Sequence, residues 1–297
     1  MAKRKWQPAR PGGRPAERVP ERRPERPAER QAERPAAPPP NRGHGAAPGG
    51  AGGYWIYGRH AVEAALANPA RRLRRLAVAE GDGPPEELAA LLERRARDAG
   101  IAVERPERAA LARLLPADAV HQGLAARVEP LAETDLGDLL DALAGPEPAT
   151  LLVLDRVTDP HNVGAVLRSA AAFGAAAVIL TERHAAPESG SLAKAASGAL
   201  EHVPLIRVGN LARALEDIKQ GGFWTVGLAA EAERTLAAVA PSGRVALVLG
   251  AEGEGLRRLT RERCDLLARL PTGGPIAHLN VSNAAAVALY EVARGQA

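Results

Sequence analysis

The sequence predicts an α/β protein in which two folded domains follow an N-terminal tail. Helix and strand patterns alternate from residue 54 to the C-terminus. Proline, glycine and arginine dominate residues 1–53, and a Gly-Pro-Glu-Pro segment interrupts the chain at residues 145–148. The 297 residues, of which 46% are hydrophobic, suffice for one large core or two modest ones.

The predicted tail, residues 1–53, carries the excess positive charge of the chain. It holds 12 Lys and Arg against 5 Glu, whereas the remaining residues hold 27 basic and 30 acidic groups, a net charge of −3. It contains 11 of the 25 prolines and one aromatic residue, Trp6, so it can bury too little apolar surface to offset the entropy of ordering. We expect it to be disordered, either as a solvated linker or as an arm that holds RNA phosphates.

Residues 54–130 are predicted to form a small α/β domain. The segment from Tyr54 leads into an apolar helical pattern that ends near Asn68. The remaining predicted elements are a strand at 73–79, a helix at 85–99, a strand at 101–104, a helix at 107–115 and a strand at 124–128. Residues 131–148 combine a short acidic helical pattern with the Gly-Pro-Glu-Pro segment, which predicts a linker.

Residues 149–297 are predicted to form a second, larger α/β domain. Its first apolar run, Leu151–Leu154, is too short for a helix and indicates a buried parallel strand. Further strands are predicted at 177–180, 203–208, 224–228, 245–249 and 266–270, and helices at 163–173, 211–220 and 282–294. This order favours a mostly parallel sheet with helices on both faces.

Several classes of protein are excluded by composition. The single cysteine, Cys264, cannot form a disulfide within the chain, and the seven His show no zinc-ligand spacing. No apolar run approaches the ~18 residues of a membrane span, and the basic N-terminus leads into proline and glutamate instead of a signal-peptide core. We therefore expect a soluble, cytoplasmic protein without a metal site or membrane segment.

The first of three informative segments runs from Leu154 to Ala170, through a strand end, a proline-containing turn and a helix start. Asn162 could be a helix cap and Arg168 a surface charge. However, open α/β sheets place ligands at the carboxyl ends of their strands, and Arg168 stands on an otherwise apolar helix. This context counts against the two simple interpretations and favours a ligand site at this position.

The second segment, Val248–Leu256, begins at the end of a predicted strand and continues beyond it. Three glycines in six residues permit positive φ and a close approach of the backbone to a ligand. The order of the glycines matches neither a dinucleotide fingerprint nor a phosphate loop. A tight turn with a solvated Glu252 explains the segment as well as a binding loop does.

The third segment, Leu270–Glu291, combines a strand end, a Pro/Gly loop and an apolar helix. The polar start of that helix contains Asn280 and Ser282, which could serve purely as caps. Two arginine-rich stretches complete the pattern, residues 71–75 and residues 257–263. Each is either a basic patch for RNA or a solvated charged surface.

Together the three segments closely resemble the motifs of the SpoU (TrmH) branch of the SPOUT methyltransferases, which methylate a ribose 2'-oxygen of RNA. The resemblance covers residues 149–297 and includes the phrase at 194–204. Upstream, residues 57–66 and His121-Gln122-Gly123 resemble the L30-like substrate-binding domain of the subgroup that methylates a guanosine of 23S rRNA. The resemblance therefore implies S-adenosylmethionine as cofactor, RNA as substrate, a C-terminal trefoil knot and a homodimer with the last helix at its interface.

The resemblance also assigns site residues, position by position. The family's catalytic positions fall on Asn162, Arg168, Glu252 and Asn280. The implied cofactor pocket is lined by Gly250, Gly255, Leu270, Ile276 and Leu279. One active-site position departs from the family, because His278 stands where a serine is usual, and Thr272 replaces a frequent methionine. Imidazole can donate or accept a hydrogen bond as a hydroxyl does, so we include His278 among the catalytic candidates.

A guanidinium is effectively never deprotonated in proteins, so the hypothesis for Arg168 is that it anchors a phosphate and stabilises developing oxyanion charge. Asn162, Glu252 and Asn280 would orient the nucleotide and help to pass its proton. Three alternatives remain: a tRNA ribose methyltransferase, a ribosome-assembly factor that binds RNA without strong activity, and a small-molecule enzyme with a nucleotide cofactor. The substituted His278 favours the second, and the absent dinucleotide and phosphate-loop patterns disfavour the third.

Overall fold

A computed structural model describes residues 53–296 apart from residues 82, 184, 276 and 277. The predicted disordered tail lies outside the described residues except for Gly53. All described residues belong to one compact unit of the chain. Within them, no helix is long and apolar enough to cross a membrane.

The N-terminal part of this unit is a four-stranded sheet flanked by three helices. Its strand order is β1-β4-β2-β3, with β2 and β3 parallel and the other pairs antiparallel. Aromatic and β-branched residues make β1 a good strand, and the buried Ala61, Val62 and Ala65 form one face of α1. The elements are β1 (Tyr54–Tyr57), α1 (Arg59–Ala67), β2 (Leu73–Val78), α2 (Glu86–Asp98), β3 (Ala102–Glu104), α3 (Arg108–Ala112) and β4 (Leu124–Val128).

The C-terminal part contains a six-stranded sheet in which every pair is parallel, in the order β10-β8-β9-β5-β6-β7. Its elements are α4 (Leu136–Ala142), β5 (Ala149–Asp155), α5 (Pro160–Ala172), β6 (Ala177–Thr181), α6 (Gly190–Ala196), a 3-10 turn (Ala199–Glu201), β7 (Leu205–Val208), α7 (Leu211–Gln220), β8 (Trp224–Leu228), α8 (Leu236–Val239), β9 (Arg244–Gly250), α9 (Arg258–Arg263), β10 (Leu266–Ala268) and α10 (Val281–Gln296).

Helices cover both faces of this sheet, as the sequence predicts. Side chains alternate along β5, so Leu152 and Leu154 face the core beneath α5, α6 and α10 while Leu151 and Val153 face α4 and α7. The predicted parallel α/β sheet is thus confirmed. The acidic helix of the predicted linker, α4, buries three leucines in the second of these cores.

The two sheets share one continuous core. Ile56 and Leu76 of the first sheet belong to the same apolar cluster as Leu192 of α6 and Leu289 of α10. Gly198 allows α1 to come close, because a Cβ at this position would lie 2.9 Å from the Cβ of Ala64. The contact between the two parts is therefore closely packed.

A buried ionic cluster reinforces this contact. The Arg71 side chain is completely buried; its Nη1 donates to Glu188 at 3.0 Å and its Nε donates to Glu201 at 3.0 and 3.1 Å. The Tyr54 hydroxyl also donates to Glu188. Burial and the neighbouring Glu188 raise the pKa of Tyr54, so its hydroxyl stays protonated and can donate. We call these four residues the Arg71 cluster; Tyr54 and Arg71 come from the first part and the two glutamates from the second.

Candidate active site

The three informative segments meet at the carboxyl edge of the six-stranded sheet. β5 and β9 are neighbours, and Asp155 at the end of β5 pairs in register with Gly250 at the end of β9. β10 lies two strands from β9, on the far side of β8. The loops that follow these strands therefore lie on one edge, where parallel sheets bind ligands.

Three predicted site residues form a hydrogen-bonded trio at this edge. The amide of Asn162 donates to Oε1 of Glu252 at 3.1 Å, and the amide of Asn280 donates to Oδ1 of Asn162 at 3.0 Å and also to Glu252. Asn162 is half-buried, whereas Glu252 and Asn280 are exposed. Residues 162, 252 and 280, from three separate segments, thus present one carboxylate and two amides to solvent; we call them the site trio.

Asn280 combines two functions that the sequence left as alternatives. Its Oδ1 accepts the backbone N–H of Ser282 at 2.9 Å, and its backbone carbonyl accepts the N–H of Ala284 at 2.9 Å. It therefore caps the start of α10. Because the cap occupies Oδ1, the amide nitrogen of Asn280 is left to donate to Asn162 and Glu252.

Gly250 is required by the shape of the loop that follows β9. A Cβ at Gly250 would lie 2.0 Å from the carbonyl carbon of Gly255 and 2.3 Å from the nitrogen of Leu256. The loop closes on itself through the N–H of Gly255, which donates to the carbonyl of Ala251 at 2.9 Å. The backbone of Gly250 thus lies close to that of Gly255. This close approach folds the loop so that Glu252 projects from it.

A cavity of about 230 Å³ lies beside the trio. Among the predicted residues, Gly250, Gly255, Leu270, Leu279, Glu252 and His278 line it. Predicted Ile276 lies outside the described residues. The cavity therefore gathers residues of the second and third segments on one side of the trio.

The end of β8 also contributes to this cavity, and sequence reasoning missed it. Leu228 and Glu231 line the wall, and Glu231 forms an ion pair with Arg261 of α9. The predicted strand at 224–228 could have indicated it, because the carboxyl ends of parallel strands open on the same edge of a sheet.

Asp155 is a second residue whose role the sequence pattern did not reveal. Its carboxylate is buried and accepts the Thr260 hydroxyl at 2.7 Å, Nε of Arg257 at 2.7 Å and the Arg257 backbone N–H at 3.1 Å. These bonds tie the start of α9 to the end of β5. Asp155 therefore fixes the far end of the loop that carries Glu252.

Arg168 does not join the trio within this chain. It lies six residues after Asn162 on α5, about 9 Å along the helix and about 120° around it. Its exposed side chain lines a different groove, between α5 and the first part of the molecule. The four positions that the resemblance assigns to catalysis therefore fall in two places.

Other kinds of chemistry find little support among the described residues. No group of three or more His, Cys, Asp or Glu there could hold a metal ion. Burial and Asp265 raise the pKa of the Cys264 thiol to about 12. Cys264 is therefore protonated at neutral pH and unsuited to act as a nucleophile.

A larger parallel sheet with polar loops at its carboxyl edge, joined to a smaller mixed sheet, defines a two-part α/β protein with a ligand cleft. Residues 149–290 match the model of the SpoU rRNA Methylase family, and residues 55–134 match the model for RNA 2'-O ribose methyltransferase substrate binding. The chain belongs to the SpoU rRNA methylase family.

Named relatives cover most of the chain. It is 45% identical to the 23S rRNA (guanosine-2'-O-)-methyltransferase RlmB of Pseudomonas aeruginosa, over 80% of this chain and 95% of that protein. It is 43% identical to the protein of the same name from Escherichia coli K12, over 80% and 97% of the two chains.

Solved structures agree with this fold. The crystal structure of an RNA 2'-O ribose methyltransferase matches with a TM-score of 0.66 and 28% identity, over 81% of this chain and 88% of that one. The SpoU methyltransferase AviRb of Streptomyces viridochromogenes, in complex with AdoMet, matches with a TM-score of 0.68 and 24% identity, over 82% and 90%. The second likeness concerns the fold alone.

Proposed function

We propose that this protein transfers the methyl group of S-adenosylmethionine to a ribose 2'-oxygen of RNA, at a guanosine of 23S rRNA. The observation that carries the proposal is the site trio beside the cavity, since it brings residues 162, 252 and 280 together at one edge of the sheet. The RlmB relatives, named for methylation of a guanosine in 23S rRNA, support the choice of substrate.

The cavity residues suit the proposed cofactor. Gly250 and Gly255 leave backbone accessible, and the leucines at 249, 270 and 279 offer apolar walls for a flat base. Glu231, Glu252 and Glu254 also line the cavity, and Arg261 neutralises only Glu231. The remaining negative charge favours a sulfonium cation. When bound, the cofactor supplies an electrophilic methyl group.

The site trio is suited to position the ribose hydroxyl. As the new O–C bond forms and the C–S bond breaks, the hydroxyl must lose its proton. Glu252 is the member of the trio that can accept a proton, and the amides of Asn162 and Asn280 hold its carboxylate in place. Because the methyl group is already electrophilic, alignment of the hydroxyl should supply most of the rate enhancement. His278 lines the same cavity and offers an imidazole where the family usually has a hydroxyl.

We further propose that the protein acts as a homodimer in the cytoplasm. Phe173 at the end of α5 and Val287 and Tyr290 on α10 are exposed apolar side chains, and the two rings contact each other edge to face. Such a patch is typical of an interface. In such a dimer, Arg168 of one copy would hold a phosphate of the RNA whose ribose enters the site trio of the other copy, which would unite the two places where the site residues lie. The trefoil knot remains a prediction for the C-terminal part.

The decisive experiment measures transfer of labelled methyl from S-adenosylmethionine to 23S rRNA from a strain that lacks this protein, followed by mapping of the modified ribose. The expected product is a single 2'-O-methylguanosine. Modification of tRNA instead would correct the substrate. Binding of RNA without transfer to rRNA, tRNA or immature large subunits would contradict the enzymatic proposal and favour an assembly factor, with His278 as its structural basis.

A further inference from the structure

A second groove, of about 520 Å³, lies between the two parts of the molecule. Helices α1 and α2 form one wall, and α5 with residues 196–202 forms the other. Its basic side chains are Arg95 on α2 and Arg168 on α5, and the imidazoles of His60 and His202 lie on opposite walls. All four are exposed.

The two arginine-rich stretches of the sequence do not form free basic patches. In the first, Arg71 is buried in its cluster, Arg72 and Arg74 lie beside Glu129, and Arg75 pairs with Glu104. The arginines of the second stretch, residues 257, 258, 261 and 263, pair with residues 155, 262, 231 and 216 respectively. Positive charge that is available to a polyanion must therefore lie elsewhere.

The groove has such charge. No hydrogen bond or ion pair joins the side chain of Arg95 or of Arg168 to another described residue. The single carboxylate among the described lining residues, Glu63, is paired with Arg59 at 3.0 Å. Two guanidiniums from opposite walls thus remain free in a cleft with no uncompensated negative charge, which is the electrostatic environment that attracts phosphate.

The walls of the groove are held at a defined separation. Gly198 of one wall lies so near Ala64 of the other that an added Cβ would be 2.9 Å from the Cβ of Ala64, and the Arg71 cluster joins the same two parts of the chain. Free charges on rigidly spaced elements bind a ligand with less loss of entropy than charges on independent domains. The groove is therefore a preformed site.

We infer that this groove binds the phosphodiester backbone of the RNA that flanks the methylated nucleotide, with Arg95 and Arg168 contacting phosphates from opposite walls. This inference rests on the proposed function for the identity of the RNA. His60 and His202 supply further donors along the same path. Because phosphate contacts carry no sequence information, the groove positions the RNA while the choice of nucleotide is made elsewhere.

Arg94 provides a matched control for Arg95. The two are neighbours on α2 and both are exposed, but Arg95 lines the groove and Arg94 does not. The full-length wild type, Arg94→Ala, Arg95→Ala and Arg95→Lys are compared. Affinity for an unmodified 23S rRNA transcript is measured between about 50 and about 250 mM KCl.

Arg95→Ala should weaken binding about tenfold and reduce the slope of log affinity against log salt by about 0.7–0.9, the effect of one lost phosphate contact. Arg94→Ala should change affinity less than about twofold, and Arg95→Lys should retain most of the slope because it keeps the charge. In methyl-transfer assays, Arg95→Ala should raise KM and leave kcat unchanged, as expected for lost ground-state binding.

Equal effects of Arg94→Ala and Arg95→Ala would overturn the inference, since the groove would then have no special part in RNA binding. The proposed function has a separate readout in the same experiment. If the wild type binds the transcript but transfers no methyl group while the two variants still differ, the enzymatic proposal fails and the groove stands.

Discussion

Two clusters of polar side chains in this molecule use similar groups for opposite purposes. The Arg71 cluster joins an arginine and a tyrosine to two carboxylates, and the Arg71 side chain is fully buried. The site trio joins two amides to one carboxylate, and two of its members are exposed. Donors meet carboxylates in both, so burial is the property that separates them.

Burial determines what each cluster can do. In the Arg71 cluster, Nε and Nη1 donate to Glu201 and Glu188, whereas the buried Nη2 makes no hydrogen bond with a described residue and lies 2.8 Å from Oε1 of Glu201. Because the Arg71 side chain is fully buried, no ligand in solution can reach it. In the trio, carboxylate and amide atoms remain accessible to solvent and can exchange water for substrate. We therefore expect the first cluster to determine stability and the second to determine activity.

The largest expected effect is on stability. Arg71→Ala should lower the free energy of unfolding by about 3–5 kcal/mol, because it leaves two carboxylates without their buried partner. Arg72→Ala is the control: this neighbour has an 80% exposed side chain 4.0 Å from Glu129, so its loss should cost less than about 1 kcal/mol. Urea unfolding measures both. Similar losses for the two variants would refute a special role for the buried cluster.

Much of the fold could be predicted from the sequence. The alternating patterns predict the longer helices and strands well: β4, β8 and α7 have the predicted bounds. The short helices α6, α8 and α9 were missed because four to seven residues give too little periodicity. Predicted helix 107–115 is observed only as α3, residues 108–112.

Contacts between polar side chains that are distant in sequence could not be predicted from such patterns. Arg71 and Glu201 are 130 residues apart, and the interpretation of residues 71–75 as a basic patch or a solvated surface did not include a buried ionic cluster. The members of the trio were assigned by the resemblance, since the pattern alone, with each of them after a strand or at a helix start, also allowed simple caps and a turn. The placement of Arg168 in another groove depends on helix rotation, which the resemblance alone did not resolve.

The second largest expected effect is a loss of activity without a loss of stability. Glu252→Gln should reduce kcat for methyl transfer about 100-fold, because the amide cannot accept a proton and keeps one oxygen for the two asparagine donors. Its melting temperature should match that of the wild type, since the residue is exposed. Glu233→Gln, the same change at an exposed position outside the cavity, should leave both quantities unaltered. A Glu252→Gln protein with normal kcat would remove Glu252 from the mechanism.

The smallest expected effect is a change in the pH dependence of stability that arises from His121, a buried side chain near the domain contact. It tests whether burial alone gives a polar group a structural role. His121 is buried, and its Nδ1 accepts the N–H of Gly123 at 3.2 Å. Burial, with smaller contributions from Arg108 and Lys194, lowers the pKa of His121 below the usual 6.5. The unfolded chain therefore binds this proton more readily than the folded protein does.

It follows that the contribution of His121 is fully present above about pH 6.5 and is lost as the pH falls below that value. We expect the free energy of unfolding to decrease between about pH 6.5 and pH 5, and the decrease to be smaller in His121→Asn. The pKa values of the paired Glu93 and Glu216 are lowered from 4.5, so their contribution is lost mainly below about pH 4.5. Urea midpoints across the range test this, with the exposed His161→Asn as control. An equal pH slope in His121→Asn and the wild type would show that this imidazole has no influence on stability, despite its burial.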